Sequence, residues 1–391
     1  MNIMLVNLAK MVGDSGGLAK VTCAFANEMV RRGHSVSLLF CDTRQGDFFY
    51  PLLSQVRVYN LCHYNGRDIV YPKSMKLRRE ILRFFSKRNS RDVNDQFFRK
   101  YFTVDMKAIL EIEKPDIVIA SQPAASRMLL SELHITIPVI LMSHGDPEDY
   151  FHIYPKGEIP SVGLSCACQV LLPSFADHIK RRFPKQRVEV IGNVVPQYDK
   201  CVDLSVEKGI YKIIFIGRLV KNHKRPHLLI EAFANLAARY PKWRLELWGA
   251  ESNRAYTKTL QRMIAKKGLT GQVSLCGVSH DVPQVLRQGD IIVLPSAYEG
   301  FGLSLAEGMS MGLPGIGYQS CPAVNELIKD GENGILCRDG VGPLREALDI
   351  LMSNRELRCR MGLAAHQDMK KYSADKVWDM WEKLIAECAG A

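Results

Sequence analysis

The sequence predicts an α/β protein built from two doubly wound parallel sheets, and three observations carry that reading. Short apolar runs of strand length alternate with stretches of helical apolar spacing from one end of the 391-residue chain to the other. The connections are short, and strand–helix–strand repetition of that kind means parallel strands covered by helices on both faces. Ten such runs are too many for one sheet, so the alternation, which restarts near residue 211, implies two domains.

Residues 3–8, 36–41, 117–120, 139–142 and 170–172 read as buried strands of the first domain. Leu18, Val21, Phe25 and Met29 mark the helix after the first of them. Residues 213–217, 245–248, 273–275, 291–294 and 315–318 read as the strands of the second. Between Gly192 and Tyr211, residues Pro196, Asp199, Lys200, Asp203 and Gly209 break any sustained period, as a linker does. The expected domains are therefore 1–195 and 196–372, followed by a C-terminal helix over 373–391. Its Val377, Trp378, Met380, Trp381 and Leu384 are expected to pack back on the first domain.

Hydrophobic residues make up 47% of the chain and charged residues 24%, the balance of a globular protein. No apolar run approaches the roughly 18 residues needed to span a bilayer, and residues 1–10 lack a signal-peptide pattern. Eleven cysteines are scattered singly, apart from Cys166-Ala167-Cys168, whose spacing is too tight for a CxxC site. They read as reduced core residues of a cytosolic protein. The charge is the unusual quantity: 52 Lys and Arg against 41 Asp and Glu give +11. A surplus of that size predicts an anionic partner, whether nucleic acid, phosphorylated metabolite or membrane surface.

Ligands of open parallel sheets sit at the carboxyl ends of the strands, and three segments fall there. Gly13-Asp14-Ser15-Gly16-Gly17 follows the first strand; it is either an anion-binding turn at a helix N-terminus or a plain tight turn. Gly217-Arg218-Leu219, with Lys221, Lys224 and Arg225 before the helix at Pro226, could hold a diphosphate between an arginine fork and a lysine point charge. Solvated surface basics are the plainer reading. The third segment, 296–308, places Glu299 and Glu307 with seven residues between them around a glycine-rich turn. Free backbone N–H groups of that turn can meet an anion, while Glu307 can accept hydrogen bonds from vicinal hydroxyls. Paired carboxylates also serve as acid and base in glycoside hydrolysis, but the neighbouring phosphate-binding chemistry argues against that.

Together these segments resemble the family 4 retaining glycosyltransferases, also called glycosyl transferases group 1, which have the GT-B fold of two Rossmann-like domains facing a cleft. The resemblance rests on EGFGLSLAEGMSMGLP from Glu299, GRLVKNHKRPHLLIEAF from Gly217, NELIKDGENGIL from Asn325 and the N-terminal glycine pair, in the family's order. It implies an acceptor-side first domain and a nucleotide-sugar-binding second domain. It also implies that Glu307 binds the donor ribose, Glu299 lies near the donor sugar hydroxyls, and Arg218 and Lys224 neutralise the diphosphate. Gly217 and the backbone around Phe301, Gly302 and Leu303 would assist, and Gly16 and Gly17 would approach the donor from the other domain. His144, directly after an apolar strand, occupies the position of the family's active-site histidine near the sugar. In the family the leaving phosphate deprotonates the incoming hydroxyl on the same face, so no enzyme base and no cofactor are expected.

Two turns depart from the family pattern. Trp248-Gly249-Ala250-Glu251 replaces a common Gly-Asp-Gly turn, and Ser320-Cys321-Pro322-Ala323-Val324 replaces a glycine-rich turn before Glu326. The step from Arg218 to Lys224 is also one residue longer than in many members, which leaves Lys221 as a lesser candidate. No two aspartates stand two residues apart, so the Asp-x-Asp metal motif of the other nucleotide-sugar fold is missing. Arg218 and Lys224 are expected to take the place of a metal ion.

Residues 67–107 contain 12 basic and 5 acidic residues, as large a surplus as that of the whole first domain. Within them, residues 75–88 read MKLRREILRFFSKR, with Leu77, Ile81, Phe84 and Phe85 on one stripe and Lys76, Arg79, Arg83 and Lys87 around it. A basic amphipathic helix of this kind either packs its stripe on the core with a solvated basic face or lies on an anionic membrane. Lys180-Arg181-Arg182 adds a second cluster, and nucleic acid is the poorer partner because no stacking platform accompanies the charge. The expected protein is a metal-independent, cytoplasmic hexosyltransferase, peripheral on the inner face of the cell membrane. It would move a sugar from a UDP- or GDP-linked donor to a lipid-linked, lipopolysaccharide or capsule-type glycan. A nucleotide-sugar epimerase or phosphorylase on the same fold is the alternative. A dinucleotide-dependent oxidoreductase would need a GxGxxG fingerprint, which does not occur.

Overall fold

The computed structural model describes residues 1–390, and among them thirteen strands form two parallel sheets. The first contains β1 (Asn2–Asn7), β2 (Ser35–Phe40), β3 (Arg57–Asn60), β4 (Ile117–Ala120), β5 (Val139–Met142), β6 (Ala167–Val170) and β7 (Val188–Val190). Their spatial order is β3-β2-β1-β4-β5-β6-β7. The second contains β8 (Tyr211–Ile216), β9 (Trp243–Trp248), β10 (Val273–Gly277), β11 (Ile291–Leu294), β12 (Gly315–Tyr318) and β13 (Gly334–Cys337), ordered β10-β9-β8-β11-β12-β13. Each sheet is doubly wound, with strand order reversing between β1 and β4 and between β8 and β11.

Burial explains which strands the sequence reveals. Every residue of β4, β5 and β11 is buried, so these strands read as uninterrupted apolar runs. The strands without such a signal, β3, β7 and β13, are edge strands. β3 is Arg-Val-Tyr-Asn and none of its residues is buried. The run expected at 170–172 is β6, set earlier at Ala167–Val170, because Cys168 and Gln169 are as buried as the residues that follow.

The chain forms two compact units, 1–192 with 378–391 and 193–377. Residues 193–195 and 373–377 thus fall in the second unit, on the other side of the expected boundaries. In the first unit, the C-terminal helix (Ala374–Ala389) sets Trp378 and Trp381 edge-on to Phe25 of α1 (Gly17–Arg31), with ring centroids 5.8 and 4.9 Å apart. Arg32 reaches Asp379 at 2.8 Å and also bonds Glu382.

The basic segment is two helices rather than one. α2 (Lys73–Phe85) ends at Ser86, whose extended backbone (φ −154°) lets its hydroxyl cap Asn89 at the start of α3 (Lys87–Glu113). No residue of α2 is buried. The apolar stripe that patterning alone would assign to the core is in solvent: Leu77 is 63% exposed, Ile81 53%, Phe84 88% and Phe85 77%. All eleven cysteines are free thiols.

Under α3, a buried acid pair is held by arginine. Asp95 accepts from Arg127 at 3.0 Å, and Arg127 also reaches Glu132 at 3.2 Å. Burial, reinforced by the nearby Asp95 charge, pushes the Glu158 carboxyl up to about 9, and burial opposed by Arg127 pushes that of Asp95 up to about 6. The folded chain therefore holds a proton on Glu158 that the unfolded chain releases near the usual 4.5. Stability should fall as pH rises through that window, to about pH 9. Glu158→Gln keeps an N–H donor without the titration, so melting temperatures between pH 5 and 9 should decline less steeply than in the wild type. Parallel slopes would show that Glu158 is not the group responsible.

Candidate active site

The site in the second unit is assembled where sheet order reverses. Because β8 and β11 are neighbours, the loops leaving their carboxyl ends run side by side. Three consecutive residues of the first loop grip the second. Arg225 donates to the carbonyls of Pro295 at 3.0 Å and Ser296 at 2.8 Å. The His223 carbonyl accepts from Ala297 N at 2.8 Å, and its Nε2 lies 2.8 Å from the Tyr298 carbonyl. Between them Lys224 Nζ meets Glu299 Oε1 at 2.6 Å. Arg225 takes a left-handed backbone (φ +48°), stands 4.8 Å over the Tyr318 ring and pairs with Asp339 at 2.9 Å.

The clamp includes Lys224 and leaves out Lys221, which is exposed. Glu299 is 8% exposed, whereas Arg218, next to Gly217 at the end of β8, is exposed. Gly217 leaves room for the lysine stem, since a Cβ there would stand 3.3 Å from Lys224 Cδ. Past Glu299 the chain turns through Gly302 (φ +79°), a conformation that favours glycine, into the helix Leu303–Ser310. Phe301 is buried edge-on to Tyr372, centroids 5.0 Å apart, and fixes the angle at which that helix begins. Leu303 opens the helix, so its early N–H groups lie beside the Lys224–Glu299 pair in sequence and loop. Glu307, one turn in, is also buried. Tyr198 approaches it: burial, with the Glu307 charge adding, pushes that phenol up to about 12.

In the first unit, Gly16 and Gly17 start α1 at the carboxyl end of β1. Gly16 N donates to Asp14 Oδ1 at 2.8 Å, and the turn before it hangs on Asp42, whose Oδ2 accepts from Met11 N and Val12 N at 3.1 and 3.0 Å. Burial pushes the Asp42 carboxyl up, but Arg44 and these backbone donors outweigh it and hold it below the usual range. His144 follows β5. Ser143 Oγ bonds the Gly145 carbonyl at 2.7 Å and receives Tyr150 OH at 3.0 Å, fixing the turn around it. The His144 Nε2 is sealed from solvent without a hydrogen-bond partner, and burial lowers its pKa to about 4, so the ring is neutral. Gly16, Gly17 and His144 thus belong to one unit, and Gly217, Arg218, Lys224, Glu299, Phe301, Gly302, Leu303 and Glu307 to the other.

Both departures from the family pattern have a structural counterpart. Gly249 (φ +148°) lies so close to the first strand loop that a Cβ would fall 2.0 Å from the Gly217 carbonyl oxygen. Ala323, fully buried, carries φ +69° without being glycine, a strained conformation in the turn before Glu326. No group of three or more His, Cys, Asp or Glu side chains able to hold a metal ion occurs among the described residues.

The sequence signature described as "Glycosyl transferases group 1" matches residues 202–368, and that of "Glycosyltransferase Family 4" matches residues 15–197. The chain belongs to the family 4 glycosyltransferases. An uncharacterized glycosyltransferase of Haemophilus influenzae is 27% identical over 384 residues, covering 96% of this chain and 97% of that one. The amylovoran biosynthesis glycosyltransferase AmsD of Erwinia amylovora is 22% identical, covering 97% of this chain and 99% of its own. An exopolysaccharide phosphotransferase of Streptomyces coelicolor is 31% identical, but over 51% of this chain and 21% of its own length. Among solved structures, the sucrose-phosphate synthase of Thermosynechococcus elongatus superposes with a TM-score of 0.75 at 15% identity, covering 98% of this glycosyltransferase and 99% of itself. S. aureus TarM, determined with fondaparinux, alpha-GlcNAc-glycerol and UDP, gives 0.73 at 15% identity, covering 98% and 100%. The lipopolysaccharide outer core galactosyltransferase WaaB gives 0.71 at 18% identity, covering 99% of both chains. These likenesses establish the GT-B fold.

Sequence reasoning did not single out His223, Tyr198 or Asp42, and it counted Arg225 only as a charge. A chain-to-carbonyl bond leaves no motif; only the position of His223 and Arg225 on either side of Lys224 could have pointed to them. In the glycosyltransferase, Lys224→Met strands a nearly buried carboxylate and should cost about 3 kcal/mol in chemical denaturation. Adding Glu299→Gln should recover much of that loss. Equal stability of wild type and single variant would mean that the pair carries no energy.

Proposed function

We propose that this glycosyltransferase moves a hexose from a UDP- or GDP-linked donor to a hydroxyl of a lipid-linked, lipopolysaccharide or capsule-type glycan, with retention at the anomeric carbon and without a metal ion. The observation that carries the reading is the Lys224–Glu299 contact beside Arg218, at the entrance to the helix that bears Glu307. Arg218 and Lys224 face the growing negative charge of the departing diphosphate, supported by the N–H groups after Gly302. Preorganised charge of this sort contributes several kcal/mol to a barrier, on the order of 3 kcal/mol per well-placed donor. Glu307 accepts from the ribose hydroxyls and Glu299 from those of the sugar.

The bond from the anomeric carbon to the phosphate oxygen breaks, and a new bond forms to the acceptor oxygen on the same face. The acceptor's proton passes to the leaving phosphate, so charge and atoms balance without an enzyme base. UDP in the TarM structure and the amylovoran and lipopolysaccharide roles in the names of AmsD and WaaB favour this donor and acceptor class.

A screen of UDP- and GDP-sugars in chelator, reading nucleoside diphosphate release with lipid-linked acceptors, should find turnover with at least one donor. Release only after a divalent cation is restored would overturn the metal-independent reading; no release with any donor would overturn the transferase reading of the site.

No helix among the described residues is long and apolar enough to cross a membrane. The reading adds a docking role for α2, whose exposed Leu77, Ile81, Phe84 and Phe85 are ringed by basic residues. Flotation with anionic vesicles should recover the wild type and lose a variant carrying Phe84→Ser and Phe85→Ser with Lys76 and Arg83 neutralised. Equal flotation of both would reject α2 as the docking element.

A further inference from the structure

His223 precedes Lys224 and bonds to the Tyr298–Glu299 peptide. Its ring lies flat on that of Tyr298, with centroids 4.1 Å apart and planes 7° apart. Its Nε2 is 2.8 Å from the Tyr298 carbonyl oxygen and 3.9 Å from Glu299 Oε1. A carbonyl only accepts, so the bond places the proton on Nε2 and, in the neutral ring, leaves Nδ1 as an acceptor. Burial lowers the pKa of His223; Glu299 and the Tyr298 carbonyl oppose that shift, while Lys224 and Arg218 add to it. At neutral pH the ring therefore acts through its shape and its single N–H, not through a charge.

The Tyr298 carbonyl belongs to the peptide that leads directly into Glu299. Fixing that peptide plane fixes the Glu299 backbone, and the Lys224 contact at 2.6 Å then fixes its carboxylate. Backbone strands on either side are pinned as well, through His223 O to Ala297 N and through Arg225 to Pro295 and Ser296. Of these bonds, the one from His223 is closest in the chain to the carboxylate.

We propose that His223 is a positioning residue for sugar transfer: its Nε2–H bond to the Tyr298 carbonyl, with the ring stacked on Tyr298, sets the Glu299 carboxylate against the sugar of the donor. The inference rests on the reading of Arg218, Lys224, Glu299 and Glu307 as the donor site. Small displacements of a group that orients a reacting sugar are costly, about 100-fold in rate for a misplacement of about 1 Å. Free nucleoside diphosphate, which lacks the sugar, meets Arg218, Lys224 and Glu307 and is indifferent to Glu299. A positioning role therefore separates turnover from nucleotide affinity, whereas general damage to the loop lowers both.

Two substitutions separate the parts of the interaction. His223→Phe keeps a flat ring on Tyr298 and removes the donor; His223→Gln places an amide N–H at similar reach. With a donor that the wild type accepts, His223→Phe should lower kcat about tenfold. The Kd of the free nucleoside diphosphate should stay within about twofold, and His223→Gln should recover most of the lost turnover. Wild-type kcat in His223→Phe, equal losses in both variants, or a nucleotide Kd that rises in step with the loss would overturn the assignment. A wild type that binds no nucleoside diphosphate would instead remove the donor-site reading, and this inference with it.

Discussion

The second unit depends on one constraint: β8 and β11 are hydrogen-bonded neighbours although two strands separate them in sequence. That adjacency lays residues 223–225 along residues 295–299, and backbone carbonyls that end a strand there must find donors. His223 and Arg225 supply three of them, which leaves the intervening Lys224 pointing at Glu299. The ion pair is thus a consequence of main-chain satisfaction on either side of it. Lys221, three positions before Lys224, falls outside the clamp and is exposed.

The same logic operates in the first unit with different chemistry. The turn after β1 is not gripped by cations but hangs on a single carboxylate, Asp42, at the end of β2. Two backbone N–H groups consumed by Asp42 belong to Met11 and Val12, upstream of Gly16 and Gly17. The amides at the start of α1 are left outside that arrangement. Within the turn Asp14 takes the Gly16 amide, so an anion there would compete with that carboxylate for it.

Most of the architecture was legible because a strand buried on both faces has to be apolar throughout. β4, β5, β11 and β12 announce themselves for that reason, and β3, β7 and β13 do not because an edge strand such as Arg-Val-Tyr-Asn satisfies its solvent-facing side with polar groups. The break at Ser86 was readable as a capping residue but was hidden by helical spacing that continues across it. At the site, the charged members and glycines could be read from their types and spacing. The clamp could not, since it is written in carbonyl oxygens that every residue carries. The turn at 320–324 shows the opposite failure: its alanine suggests an ordinary backbone, and only the structure reveals that Ala323 occupies a conformation suited to glycine.

The net charge of +11 divides along similar lines. Part of the basic belt is answered locally, for Arg79 and Arg83 both pair with Glu80, Arg99 with Glu132, and Arg67 with Asp105. Exposed pairs such as those of Glu80 contribute little, about 0–1 kcal/mol each, and all of these pairs reduce the charge that a distant surface feels. The exposed stripe of Leu77, Ile81, Phe84 and Phe85 has no such local answer within α2, which buries none of its residues. Full burial of one large apolar side chain is worth about 1.5–3 kcal/mol, against about 1 kcal/mol for a basic residue near an anionic surface. If α2 docks on such a surface, its two phenylalanines would contribute about as much as its basic residues. The share from the phenylalanines would persist at salt concentrations that screen the lysines and arginines, because the Debye length shortens to about 3 Å at 1 M while apolar burial does not weaken.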